Sequence, residues 1–400
     1  MRLPGGFDPV LEQDLHPFSP NLSDRILNRL TSTLQCETMQ NARHSSPGHE
    51  SSNAPPNGDA AMPGDRRQAQ EQEQRGDWTV SVVVPTCGRA DLLVRCLDAL
   101  TAQTVRSADM EIIVVDDAAL EATRTVLAGW TERMAPRGLD IRYLPNHGPH
   151  GPAAARNRGW RAARAGIVAF TDDDTVPDAD WLRNGLMAFD RDADALWGRI
   201  AMPLPARPTD YERDASHLAT AEFVTANCFC RKATLDALGG FDERFRLAWR
   251  EDSDFHFRLL EQGARIRHVP EALVVHPVRP ARWGVSIGQQ KKIQFDALLY
   301  KKHPLLYRRK IRARPRWDYY LTVASLLAAP AGAALGHAPL AAGAVAVWAA
   351  MTARLCAARL KDTAKTAAHV VEMAVTSAAI PVLAVWWRMV GALRFRVLFL

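Results

Sequence analysis

Between residues 78 and about 280 the chain alternates two apolar periods. Short, nearly continuous Val/Ile-rich runs ("TVSVVVPT", "MEIIVVDD", "DIRYLP", "IVAFTDDD") are separated by stretches of helical spacing ("DLLVRCLDALTAQ", "LEATRTVLAGWTERM", "GPAAARNRGWRAARAG"). Runs without polar alternation belong to strands covered on both faces, so the pattern predicts an α/β domain built on a parallel sheet. In such sheets ligands bind beyond the carboxyl ends of the strands. The polar signatures fall at those ends: Pro85 and Thr86 after the first run, Asp116 and Asp117 after the second, and Asp172, Asp173 and Asp174 after a later one.

The flanking regions follow neither pattern. Residues 1–77 are rich in Pro, Ser, Asn, Gln and charge, and are expected to be a mostly disordered leader. One stretch in it, "LSDRILNRLTSTL", puts Leu22, Ile26, Leu30 and Leu34 on one helical face. Beyond residue 317 the chain turns apolar. "YYLTVASLLAAPAGAALGHAPLAAGAVAVWAAM" (319–351) carries no charged side chain over more than one bilayer crossing. Its break at Gly336-His337-Ala338-Pro339 predicts a helical hairpin whose arms are each short for a full span. Arg312, Arg314 and Arg316 before it, and Arg354, Arg359 and Lys361 after it, place both hairpin ends on the cytoplasmic side. A third apolar segment, 369–387, is followed by Arg388, Arg394 and Arg396, which fits a re-entrant or interfacial helix as well as a crossing. The domain plan expected is a leader (1–77), a catalytic domain (78–290), a basic juxtamembrane segment (291–317) and membrane-associated helices (318–400).

Charge sharpens this plan. The formal net charge is +6, and the excess concentrates in "KKIQFDALLYKKHPLLYRRKIRARPRW" (291–317), beside the apolar region. That placement favours an anionic membrane surface over nucleic acid. The 6 cysteines show no paired metal spacing, which points to a reduced, cytoplasmic catalytic part, and the N-terminal stretch lacks a signal-peptide core.

Three adjacent aspartates repel one another unless a counter-charge sits among them, and a divalent cation is the natural one. A solvated acidic turn is the plainer alternative. A second acidic cluster, "REDSDFHFRLLEQG", places Glu251 and Asp252 at or just before a helix N-terminus, as caps or as a general base. His276 ends the strand-like run "EALVVHPV" and is a candidate imidazole ligand.

Taken in order, P-T-x-x-R (85–89), V-V-D-D (114–117), G-P-A-A-A-R-N-R-G (151–159), F-T-D-D-D (170–174), G-G-F-D-E (239–243), R-E-D-S-D (250–254) and the late histidine resemble the family 2 glycosyltransferases of the GT-A fold. The resemblance covers about residues 79 to 280. It implies a Rossmann-like mixed sheet with helices on both faces, a nucleotide-diphosphate sugar donor (a UDP-sugar foremost), a divalent cation (Mn2+ or Mg2+) and inversion at the anomeric carbon. By the same resemblance Pro85, Thr86 and Arg89 would line the nucleotide pocket. Asp116 or, by preference, Asp117 would accept a hydrogen bond from the base. Arg156 and Asn157 would open a helix that helps hold the nucleotide. Asp172 and Asp174 would be the DXD carboxylates, with Asp174 on the metal, Asp172 nearer the ribose, and Asp173 also among the nucleotide-sugar-binding residues. Asp252 would be the catalytic base, and His276 would approach the metal.

Two departures qualify the match. Ala118-Ala119-Leu120 replaces the small polar residues usual after the second strand, and "GQQKKIQF" lacks the Arg-Trp pair of processive synthases, so transfer of one sugar is expected rather than polymerisation. The membrane flanks suggest a lipid or lipid-linked saccharide acceptor. Two rival readings remain: a haloacid-dehalogenase-type phosphatase through Asp172-Asp173-Asp174-Thr175-Val176 with Thr225, Lys232 and Asp252, and a catalytically inactive, glycosyltransferase-like membrane binder.

Overall fold

The computed structural model describes residues 79–189 and 192–399. The expectations for residues 1–77, a disordered leader and a short amphipathic helix, lie outside them.

Eight strands form one sheet: β1 (Val80–Thr86), β2 (Met110–Asp116), β3 (Asp140–Pro145), β4 (Ile167–Phe170), β5 (Val176–Pro177), β6 (Ala195–Ala201), β7 (Cys228–Arg231) and β8 (Ile266–Val275), in the order β3-β2-β1-β4-β7-β6-β8-β5. The first half is parallel, as the apolar runs predicted. The sheet becomes mixed beyond β4, because β7 runs antiparallel to both β4 and β6, and β5 antiparallel to β8.

Alternation along β1 divides the core. Val80, Val82 and Val84 pack with Leu93, Leu97 and Leu100 of α1 (Ala90–Thr101) and with Leu127 and Trp130 of α2 (Glu121–Met134). Val83 faces the opposite side, with Ala153, Ala155 and Trp160 of α3 (Pro152–Ala162). Gly151, just before α3, has φ +120°, and a Cβ there would lie 2.8 Å from the Arg246 carbonyl oxygen, so this turn accepts only glycine.

A small helix, α4 (Asp210–Ala215), follows β6, and α5 (Glu251–Glu261) carries the second acidic cluster. The basic segment 291–317 packs against the α/β half. In α6 (Gln294–Lys302) Phe295, Leu298 and Leu299 are buried, and with Phe245, Phe257, Tyr307 and Phe399 they form a third apolar cluster. Its lysines and arginines had masked this helical face. Three long apolar helices follow: α7 (Trp317–Ala334), α8 (Ala338–Leu360) and α9 (Ala367–Phe395). The hairpin breaks where expected, at 335–337. Of the described helices, α8 and α9 are long and apolar enough to cross a membrane, with 6% and 44% of their most apolar stretches buried.

Candidate active site

The aspartate triplet leaves the carboxyl end of β4, in the middle of the sheet, and its members point to different tasks. Asp173 turns inward. The Thr86 hydroxyl donates to its Oδ2 at 2.6 Å, and the Arg89 Nη2 lies 2.7 Å from Oδ1. It is fully buried, and burial lifts its pKa to about 7 against the pull of Arg89. Asp173 thus engages Thr86 and Arg89 from within, while the Arg89 side chain keeps 31% of its surface exposed.

Asp172 and Asp174 turn instead toward His276, which follows β8 and is held by its backbone N–H to the Ala201 carbonyl at 2.8 Å. One ligand atom from each of these three side chains lies within 4.8 Å of the other two. Two carboxylates and an imidazole suit a divalent cation of the Mn2+ or Mg2+ type. The His276 Nδ1 is buried without a hydrogen-bond partner, while Nε2 lies 3.6 Å from Asp174 Oδ1. These residues fit such an ion. Arg279, a residue that no motif had marked, places its Nε 3.1 Å from Asp174 Oδ2. Its only sequence signal was proximity to His276.

Arg156 joins the triplet to the second acidic cluster. Its buried guanidinium puts Nη2 2.7 Å from Asp172 Oδ1 and Nη1 3.3 Å from Glu251 Oε1. Arg156 and, to a lesser degree, His276 outweigh burial and lower the Asp172 pKa. Glu251, at the start of α5, leaves Oε2 buried and without a partner. Burial first, then the neighbouring Asp252 charge, raise its pKa to about 7. Burial also raises Asp252, whose Oδ1 accepts from the Ser253 N–H at 2.6 Å. Arg250, the residue before this pair, has φ +76°, a left-handed conformation that costs an arginine roughly 1–3 kcal/mol. Asp296 of α6 holds it there, accepting from Arg250 Nε at 2.7 Å and from Trp249 Nε1 at 3.0 Å.

The remaining expected residues are placed differently. Arg156 and Asn157 do not open their helix, because α3 begins at Pro152 and both lie within it. Asn157 is spent on structure: its Nδ2 donates to the Phe241 carbonyl and to Glu243, and its Oδ1 accepts from Trp160 and the Phe241 N–H. Asp116 accepts from the Ala118 and Leu120 N–H groups and from the Tyr143 hydroxyl, so it ties the loop after β2. Asp117 accepts from Asn146 Nδ2 at 2.6 Å and from the Gly151 N–H at 2.9 Å, and so fastens that loop to the start of α3. Pro85 is buried within β1. Among the described residues, the Cys96 thiol donates to the Asp172 carbonyl at 3.5 Å behind the triplet, and Cys228, Cys230 and Cys356 are also free thiols.

Comparison with known proteins matches the geometry to a family. The profile described as Glycosyl transferase family 2 matches residues 81–239, and that described as Glycosyl transferase family group 2 matches residues 167–390. A pre-mycofactocin glycosyltransferase of Mycobacterium tuberculosis is 32% identical over 218 residues, 50% of this chain and 43% of that protein. Glycosyltransferase AglE of Haloferax volcanii is 27% identical over 228 residues, 54% of this chain and 70% of that protein. A solved mannosyltransferase from Pyrobaculum calidifontis, in complex with GDP-Man and Mn2+, has a TM-score of 0.48 and 20% identity, covering 80% of this chain and 93% of that chain. The chain spans less than half the length of the first of these relatives.

Proposed function

We propose that this chain, which belongs to the family 2 glycosyltransferases, moves a single sugar from a nucleotide-diphosphate sugar to an acceptor hydroxyl with inversion at the anomeric carbon. One observation carries the reading. A cation-sized cluster of Asp172, Asp174 and His276 is joined through the buried Arg156 to Glu251, and the next residue, Asp252, is a half-buried carboxylate of raised pKa. The phosphatase alternative loses its context, since the triplet follows the fourth described strand and both matching profiles are of glycosyl transferases.

Asp172, Asp174 and His276 would hold Mn2+ or Mg2+. When bound, such an ion supplies positive charge against the departing diphosphate. Asp252 takes the proton from the acceptor hydroxyl as that oxygen attacks the anomeric carbon on the face opposite the diphosphate. The new C–O bond forms while the bond to the diphosphate oxygen breaks, and a single displacement of this kind inverts the centre. Burial makes Asp252 a stronger proton acceptor than an exposed aspartate. Arg250 and Arg156 nearby pull against that rise. The donor, a UDP-sugar by preference, lies over the carboxyl ends of β1 and β2 beside Pro85, Arg89 and the loop that Asp117 fastens.

The hairpin α7–α8 supports a membrane site for the acceptor. Leu326, Leu327, Leu335, Leu340 and Val345 are exposed along it. The arginines at its base favour the cytoplasmic face, and a lipid or lipid-linked saccharide is the acceptor such an anchor serves.

A thermal-shift panel of UDP- and GDP-sugars, with and without Mn2+, tests the donor. A bound donor must raise the melting temperature, and only with the metal. If no nucleotide sugar shifts it under either condition, the reading fails.

A further inference from the structure

Helix α9 touches the catalytic half at both of its ends. Near its start, Glu372 Oε1 accepts from the Gly284 N–H at 2.7 Å, and His369 Nε2 accepts from the Asp210 N–H at 3.3 Å. Near its finish, Arg394 Nη1 donates to Gln294 Oε1 at 2.9 Å, and the Phe395 carbonyl accepts from Lys301 Nζ at 2.8 Å. Between them a Cβ on Gly391 would lie 2.4 Å from the Gln294 carbonyl oxygen, so helix and α6 meet backbone to backbone. At 1.5 Å per residue, Glu372 and Phe395 are about 35 Å apart along the axis, more than the roughly 30 Å thickness of a hydrocarbon core. A helix pinned to one water-facing module over that length does not cross a bilayer.

The two faces of α9 agree. Met373, Thr376, Ile380, Ala384 and Gly391 are buried. Val371, Val375, Trp386, Met389 and Leu393 are 48% to 77% exposed. At 100° per residue these five fall within an arc of about 60°, opposite the buried face. The result is an apolar stripe along the outer side, exposed at 371–375 and again from 386 to 393 and half-buried between them. Lys365 before the helix and Arg394 and Arg396 near its end are exposed, so positive charge stands at both ends. A crossing would carry one cationic end to the far side, against the usual distribution. A helix lying flat sets both ends among anionic headgroups with its stripe in the acyl boundary.

We propose that α9 lies in the plane of the membrane surface, with its apolar stripe in one leaflet and its other face covered by the catalytic half. The occupant of the stripe is therefore lipid, and the chain is held from one side by α9 together with the projecting hairpin. This rests on the membrane reading above. Arg359, at the base of the hairpin, fixes the parts to one another: it is buried, donates to Thr376 and Ser377 of α9 and pairs with Asp210 of α4 at 2.8 Å. Since β6, which leads to α4, ends beside His276, the leaflet surface and the crevice lie at the same end of the sheet.

The test uses the full chain carrying Ala368→Cys or Arg396→Cys, in sealed vesicles of phosphatidylethanolamine and phosphatidylglycerol. Vesicle flotation comes first. Outward-facing molecules are identified by protease cleavage in the catalytic half. A membrane-impermeant maleimide is added before and after detergent, and labelling is read by peptide mass spectrometry so that native thiols are counted separately. Labelling of both ends before detergent is the expected result. An end that labels only after detergent overturns the in-plane helix while leaving membrane attachment intact. A chain that does not float with the vesicles overturns both.

Discussion

At the amino ends of β1, β2 and β3 a single carboxylate, Glu111, is fully enclosed. Ser81 donates to its Oε1 at 2.6 Å and the Arg164 N–H at 2.7 Å, while Arg164 Nε and Arg142 Nη1 each donate to Oε2 at 3.0 Å. Burial alone would raise its pKa, but these bonds outweigh it and the net shift is downward. At the carboxyl ends of the same sheet, Asp172, Asp173, Asp174, Glu251 and Asp252 face Arg89, Arg156 and Arg279, and Asp173 and Glu251 are pushed up to about 7. The same side-chain chemistry thus serves two ends. Where donors saturate a buried carboxylate it is architecture, and where acid outnumbers base the excess marks a place for a cation and a reacting proton.

The largest contrast comes from the carboxyl end. Asp174→Asn, or Asp252→Asn, should cut sugar transfer roughly 10³-fold without lowering the melting temperature. The two should separate in donor binding, which Asp252→Asn keeps and Asp174→Asn loses. Normal transfer by Asp174→Asn, or full activity of the wild type in EDTA, would sink the cation cluster.

Glu111→Gln probes the other end. Leaving Arg142 and Arg164 without their full counter-charge should cost about 3 kcal/mol of stability, a drop in melting temperature of roughly 5–10 °C, with turnover per folded molecule unchanged. A variant that stays stable but loses turnover would erase the distinction between the ends.

Glu251→Gln sharpens it. The amide keeps the shape but weakens the hold of Arg156, and about a tenfold loss in transfer is expected, as for a group that orients a ligand through another residue. If Glu251→Gln is inactive while Asp252→Asn turns over, the proton acceptor is Glu251.

The smallest effect is in pH. Because the folded-state pKa of Glu111 is lowered, its contribution is present above the ordinary glutamate value of about 4.3 and is lost as pH falls through the folded value. The stability gap between wild type and Glu111→Gln should therefore close on acidification and stay constant toward neutrality. Thermal melts from pH 3 to 7 measure it, and a gap that widens in acid would reverse the assignment.

Much of this was legible in the chain. Valine-rich runs and helical spacing predicted the first four strands and the helices between them, because local periodicity reports burial directly. The triplet and the Glu-Asp pair stood out because like charges need a reason. The inward turn of Asp173 and the spending of Asp116, Asp117 and Asn157 on internal bonds were hidden, since each depends on partners brought close by folding. Arg156 and Glu251 are 95 residues apart. The basic segment hid its packing in a different way: its lysines and arginines drew attention from Phe295, Leu298 and Leu299, which are buried in α6.

Phe399 lies beyond all three apolar helices in the chain, yet it is buried against Tyr300 and Tyr307, with ring centroids 5.1 and 5.4 Å away. The Tyr307 hydroxyl reaches Asp296 at 3.3 Å, and Asp296 holds Arg250 in front of the Glu-Asp pair. A ribosome delivers these parts in order, so the support under Asp252 stays incomplete until α9 has emerged and Phe399 has followed it. The order of synthesis thus sets the order of assembly: the buried run of contacts from Phe399 to Arg250 closes only after the last helix has been made.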